Sequence, residues 1–205
     1  MKRYIFVIIV MLSCLSIQAQ EKGRFRVQGN IGLDFPAKGV GGSIDLLDIR
    51  YNLKDNWNAG AKIGGAMMFR NLNQIDEQTA ENTLHLNSNF MLVSDYYFNN
   101  GTSYFAPFVG ASVGAFRIRN LYMIVDLESD DYNQADNFPD PSKTFGGALR
   151  AGFELWRFRM AMEYYIIPKT DKYNIESNLF PVGTSANNYL TINVGFYFGG
   201  GRWMK

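Results

Sequence analysis

The chain has 205 residues, 20 Lys and Arg against 19 Asp and Glu, one histidine and one cysteine. A balance this even gives no electrostatic reason to expect nucleic acid as a partner. The length is that of one domain, and aromatic residues make up 15% of it.

The first segment reads as an export signal. Lys2 and Arg3 precede the apolar run Tyr4 to Leu12, and Ser16-Ile17-Gln18-Ala19 then supplies a small residue before a polar stretch. The run is too short to span a bilayer as a stable helix. Cleavage is expected after Ala19, so residues 1–19 leave and residues 20–205 form the mature domain. A retained anchor, or a lipoprotein acylated at Cys14, fits the pattern less well. Lys2, Arg3 and Cys14 depart with the signal. The mature chain then has no cysteine, which excludes disulfides, cysteine catalysis and thiolate metal sites.

Beyond the signal, no apolar run is long enough for a transmembrane helix, and alternation with period two dominates. From Arg24 to Phe35, Phe25, Val27, Ile31, Leu33 and Phe35 share one face; Arg24, Arg26, Gln28, Asn30 and Asp34 share the other. A strand points successive side chains to opposite faces, so this is a ribbon with one oily and one charged side. The pattern returns with Leu47, Ile49, Tyr51 and Leu53 against Asp48, Arg50 and Asn52, after a break of phase at Leu46-Leu47 that predicts a bulge or a later strand start. Trp57, Ala59, Ala61, Ile63, Met67 and Phe69 oppose Asn58, Lys62 and Arg70, and Leu84, Leu86, Phe90, Leu92, Tyr96 and Phe98 oppose His85, Asn87, Asn89 and Asp95. The stretch Tyr104 to Arg117 is less clean, and Pro107 belongs near a strand end or bulge because it cannot donate to the ladder. Phe145 to Leu155 oppose Thr144, Arg150 and Glu154. Phe158 to Ile166 oppose Arg157, Arg159 and Glu163. Leu190 to Phe198 oppose Thr191, Asn193 and Tyr197.

These segments make about eight strands of membrane-spanning length. Short connections fall at Lys54-Asp55-Asn56, Asn99-Asn100-Gly101-Thr102 and Leu155-Trp156; long ones are expected over residues 35–42, 71–82, 118–143 and 168–188. Short turns at one end and long loops at the other is the layout of an outer-membrane barrel, with the long loops outside the cell. The fold expected is therefore all-β: an eight-stranded antiparallel transmembrane β-barrel, an up-and-down meander. A soluble barrel would show the same alternation with its faces exchanged. Against it stand the length of each apolar face and the aromatic residues near strand ends (Trp57, Phe69, Tyr96, Phe98, Tyr104, Tyr164). Charges of both signs also share one phase: Arg24, Arg26, Asp48, Arg50, Lys62, Asp95, Arg150, Glu154, Arg157, Arg159 and Glu163. These eleven are the expected lumen network.

The signal ending Gln18-Ala19-Gln20, the strand around Gly110-Ala111-Ser112-Val113-Gly114 and the closing Asn193-Val194-Gly195-Phe196-Tyr197-Phe198 resemble the small outer-membrane β-barrel family. The likeness is to the architecture of OmpX and of the OmpA transmembrane domain, in the Bacteroidota version. It implies residence in the bacterial outer membrane among lipid and lipopolysaccharide, and insertion by the barrel-assembly machinery. Members often end on the aromatic of the last strand, whereas here residues 199–205 follow Phe198. Either the insertion signal is internal or the strand continues to Trp203. The sequence shows no peptidoglycan-binding domain, so an OmpA-like anchoring role is not expected.

An eight-stranded barrel is just wide enough for side chains to fill it, so a lumen lined by opposite charges is expected to be closed by ion pairs. Lipid A deacylase barrels carry a His-x-Ser-Asn signature, while this chain reads His85-Leu86-Asn87-Ser88-Asn89. His85 and Ser88 are three residues apart and fall on opposite faces of a regular strand, out of hydrogen-bond reach. Palmitoyltransferase barrels need a loop histidine, and none exists here. Asp126, Glu128, Asp130 and Asp131 form an acidic cluster without the glycine and bidentate-glutamate plan of a calcium loop. The expected reading is a solvated loop or a contact with ion-bridged lipopolysaccharide. Loop aromatics Tyr122, Tyr132, Phe138, Tyr173 and Phe180 could meet a partner or pack on one another. No catalytic residue, cofactor or metal is expected. The leading reading is a non-enzymatic barrel acting through its long loops. The alternatives are a narrow channel or small-ligand binder and, behind it, a lipid A-modifying enzyme.

Overall fold

A computed structural model of the chain describes residues 22–74, 79–99, 101, 103–126, 140–174 and 181–200. The expected signal segment with Cys14, the acidic residues Glu128, Asp130 and Asp131, the aromatics Tyr132, Phe138 and Phe180, and Trp203 lie outside these.

The described residues are all-β. Ten strands follow in chain order: β1 Phe25–Pro36, β2 Gly39–Lys54, β3 Trp57–Gln74, β4 Thr79–Tyr97, β5 Phe105–Asp126, β6 Ser142–Leu155, β7 Phe158–Ile166, β8 Thr170–Asn174, β9 Pro181–Ser185 and β10 Tyr189–Gly199. Eight of them, β1 to β7 and β10, pair antiparallel with their chain neighbours; β4 pairs with β5 and β10 with β1, so no edge is left open. Closure satisfies every ladder within the sheet, which a bilayer demands. The remaining two form a hairpin in the β7–β10 connection, and β8 runs parallel to β5 at Asn120–Tyr122, beyond the point where β6 has ended.

Burial fixes which face of the alternation points inward. Ile31, Leu33, Leu92, Val113 and Leu149 are 58–63% exposed on the outside, while Arg26, Arg50, Lys62 and Arg159 are at most 1% exposed. A soluble barrel would have the reverse, and burying these cations while exposing the aliphatics makes sense only with hydrocarbon outside. Trp57, Phe69, Tyr96, Phe98, Tyr104 and Tyr164 are all exposed on the outer surface near the ends of this apolar belt.

The bulge expected at Leu46 is present. Asn30 faces Asp45 and Gln28 faces Asp48, so Leu46 and Leu47 together span the place opposite Gly29, and both point outward. The strand itself begins earlier, at Gly39. Three expected loops are shorter than the alternation implied. Residues 35–42 reduce to Ala37-Lys38 between β1 and β2, helped by Gly39 at φ +116°. The ladder of β3 and β4 runs through 71–82 as far as Gln74 and Ala80. In β5 the strand continues through residues 118–126. Its polarity reverses there: Phe116 and Ile118 are buried while Arg117 is exposed. Period two persists, but the surroundings have changed from hydrocarbon to water, so the oily face turns inward.

Candidate functional site

Nine of the eleven expected lumen residues project into the barrel and are at least 96% buried: Arg26, Asp48, Arg50, Lys62, Asp95, Arg150, Glu154, Arg159 and Glu163. The other two do not. Arg24 precedes β1 and is exposed; Arg157 occupies the two-residue turn between β6 and β7, half-exposed, with its guanidinium 5.8 Å from the Trp156 ring. Both were placed by counting alternation past the point where the backbone leaves the ladder. Asp45 joins the network in their stead, brought into phase by the Leu46 bulge, with Tyr97 and Tyr165 as its hydroxyls.

The network has two clusters. Nearer the turn end, Asp95 on β4 receives three guanidinium groups: Arg50 from β2, Arg150 Nε at 2.6 Å and Arg159 Nη2 at 2.7 Å. Arg50 also donates to Asp48 through Nε at 2.8 Å and Nη2 at 2.6 Å. Glu154 is held by Arg26, by Arg159 Nη1 at 2.9 Å and by the Tyr97 hydroxyl at 2.7 Å. The Arg159 guanidinium carbon lies over the Phe108 ring, 3.7 Å from its centroid, and that of Arg26 over Tyr197 at 4.0 Å. Higher up, Lys62 donates to Glu163 at 2.9 Å and to the Tyr165 hydroxyl at 2.8 Å, with Asp45 at 3.4 Å. Five cations thus meet five carboxylates drawn from six strands.

β5 and β10 bring no charge to these clusters; they make room for it. Gly110 on β5 faces the Asp95–Arg150 pair, and a Cβ there would collide with the Asp95 carboxylate and stand 3.0 Å from Arg150 Nε. One salt bridge reaches across to another, so side chains of opposite walls meet in the bore at this level.

The loop half of the lumen is mostly neutral, with Arg70 and Asp34 as its buried charges. Met68, Met91, Val93, Phe116, Ile118, Tyr165 and Tyr189 form one buried cluster. Tyr165 and Tyr189 stack with centroids 4.5 Å apart and planes 8° apart, and Asn87 Nδ2 donates to the Tyr189 hydroxyl at 3.2 Å. Above them, His85 is fully buried with Nδ1 2.6 Å from Asn120 Oδ1. Asn120 Nδ2 donates to Thr170 Oγ1 at 2.8 Å, and Asn187 Nδ2 donates to the Pro168 carbonyl at 2.5 Å and to Thr170 Oγ1 at 3.0 Å. These amides fasten the β8–β9 hairpin to the barrel wall. The alternation could not reveal this layer, because residues 168–188 carry little period-two pattern and pair with a strand far away in sequence. Ser88 points to the outer surface, on the opposite side of the wall from His85. Among the described residues, no group of three His, Cys, Asp or Glu is placed to hold a metal ion.

No family model matches the sequence, and no match is found among curated proteins. Solved structures do match. The outer membrane protein OprG from Pseudomonas aeruginosa is 18% identical with a TM-score of 0.53, over 89% of this chain and 99% of that one. Neisserial surface protein A is 12% identical with a TM-score of 0.46, over 86% and 99%. Ail, the attachment invasion locus protein of Yersinia pestis, is 10% identical with a TM-score of 0.39, over 86% and 99%. At 18% identity the OprG likeness is one of fold, and that fold is the closed eight-stranded barrel of an outer membrane protein.

Proposed function

We propose that this chain is an integral protein of the bacterial outer membrane whose barrel is a sealed anchor, and whose work is done at the loop end. The observation that carries this reading is the pairing of five buried cations with five carboxylates, four of them buried and Asp45 nearly so, inside a wall that is apolar outside. Such a lumen is occupied by side chains and obstructs solute flow. The apolar belt gives way to Arg117 and Lys143, register partners on β5 and β6 that are both exposed on the outer surface. Cations at that height suit the phosphate layer of lipopolysaccharide, which orients the loop end outward. Within the small-barrel family the chain fits the Bacteroidota type, on its signal ending and closing strand. The outward Phe196 and Phe198 fit recognition by the barrel-assembly machinery.

The role is structural or one of surface interaction, without catalysis. His85 and Ser88 lie on opposite faces of β4 and cannot act as base and nucleophile together. Mass spectrometry of lipid A from cells with the chain, without it and with His85→Ala should show the same species in all three; a species lost in the last two would establish an enzyme. Cell fractionation should place the protein in the outer membrane with heat-modifiable gel migration, and recovery in the soluble periplasm would refute the reading. Planar bilayers should show no reproducible openings. Charge-selective openings altered by Arg150→Ala would make the barrel a channel.

A further inference from the structure

Among the described residues six cations are buried in the barrel, and five of them have carboxylate partners. Arg70, near the loop end of β3, is 5% exposed. Among the described residues it pairs with no carboxylate: its guanidinium donates to the carbonyls of Ala186 and Asn187, the latter at 3.2 Å, and its Nε has no hydrogen-bond partner. Besides these carbonyls it reaches only the Met68 sulfur, at 3.9 Å, and the buried Asp34 acts on it without forming an ion pair, so no anion is in direct contact with the guanidinium, which is costly in a low-dielectric setting. Two further orphaned polar atoms, Thr83 Oγ1 and His85 Nε2, lie on the same stretch of wall, with Thr83 the register partner of Arg70.

Arg70 also lines a cleft of about 150 Å³ between the β1–β2 turn and the β8–β9 hairpin. The other chemistry-bearing walls are Lys38 from the turn, Lys172 from β8, and the hydroxyls of Thr184 and Ser185 from β9. Residues bearing three cations and two hydroxyls line this small space, and no carboxylate does. That is the donor set of an oxyanion site, in which a fork-shaped guanidinium fixes orientation and lysines supply charge.

We propose that this cleft at the barrel mouth binds a phosphate group, held by Arg70 with Lys38 and Lys172 and capped by Thr184 and Ser185. The phosphate supplies a counter-charge in direct contact with Arg70, where Asp34 acts only from a distance, and bridges the β1–β2 turn to the hairpin. Phosphate bound free from solution and phosphate carried on a lipid headgroup present the same chemistry. The site's existence does not depend on which way the barrel faces; its access to membrane lipid rests on the outward orientation proposed above.

The test uses the whole mature chain refolded in detergent, with amide NMR during titration with inorganic phosphate at constant ionic strength and chloride as the control. Saturable shifts are expected at Lys38, Gly39 and residues 183–186. The double variant Lys38→Ala, Lys172→Ala leaves the packing of Arg70 intact and should weaken binding about tenfold or more, while heat-modifiable migration stays unchanged. Shifts that chloride reproduces, that do not saturate, or that the double variant leaves intact would overturn the site. Nanodiscs containing phosphorylated or dephosphorylated lipid A then identify the source. If the phosphorylated lipid alone pre-empts the titration, the ligand is the headgroup; if neither does, it is a soluble phosphate. Either result retains the site, and a protein that binds phosphate but fractionates as soluble would separate it from the membrane reading.

Discussion

In the turn half of the lumen the contacts are ionic: Asp95 and Glu154 between them hold Arg26, Arg50, Arg150 and Arg159. In the loop half no ion pair links the described residues: an amide layer of Asn87, Asn120 and Asn187 sits over stacked tyrosines and methionines, and the buried charges Asp34 and Arg70 are held by hydroxyls and carbonyls. The two halves should fail differently. Removing one member of an ionic cluster leaves bare charge in a dry space, which costs far more than the pair contributed. Removing one neutral amide costs about one hydrogen bond. The ionic half is therefore cooperative and global, and the neutral half local.

The largest expected effect is that of Asp95→Ala. It leaves Arg50, Arg150 and Arg159 without their shared carboxylate, and breaking a buried pair of this kind costs about 3–5 kcal/mol. In detergent micelles the urea midpoint of unfolding should fall steeply, or the folded band should vanish from unheated gels. A midpoint close to that of the unaltered protein would mean that water neutralises the three guanidinium groups, and the bore would then be wet. Gly110→Ala probes the same cluster by volume. Its methyl group would press on the Asp95 carboxylate and Arg150, costing roughly 1–3 kcal/mol as overpacking does. If stability is unchanged, the cluster is looser than its distances imply.

Asn187→Ala moves the probe to the neutral half. The substitution removes donors to Pro168 and Thr170 and an acceptor for Asn120 at 3.3 Å. About 1–2 kcal/mol of local stability should go with them. Because the bonds fasten the hairpin, hydrogen exchange should quicken in β8 and β9 while β1 and β10 keep their protection. Uniform loss of protection across the barrel would show that the halves are not separable.

The same division explains what could be read without coordinates. The belt and the lumen phase were legible because hydrocarbon outside and charge inside impose one sign of alternation on every strand that crosses the membrane. Nine charges followed that phase into the lumen. Their partners were not legible: Arg26 meets Glu154 across 128 residues, and closure of the sheet, not sequence spacing, brings them together. Above the belt the rule itself changes. Along Phe116-Arg117-Ile118-Arg119 the apolar residues turn inward, which in sequence looks like the end of a strand. The hairpin of β8 and β9 has no membrane face at all, so nothing marked Asn187 or Asn120 as interior.

The smallest expected effect is the most discriminating, because it removes a single atom. Tyr189→Phe keeps the ring stacked on Tyr165 and deletes only the hydroxyl that accepts from Asn87 Nδ2. Asn87 keeps its bond from Asn89, at 3.3 Å, so one amide proton is left unpaired. In a neutral setting that costs about 1 kcal/mol, a modest change in urea midpoint. A loss comparable with that of Asp95→Ala would mean the tyrosine hydroxyl is coupled electrostatically to the Lys62–Glu163 pair beneath it. The polar contacts of the loop half would then belong to the ionic cluster, and the barrel would have one cooperative interior in place of two.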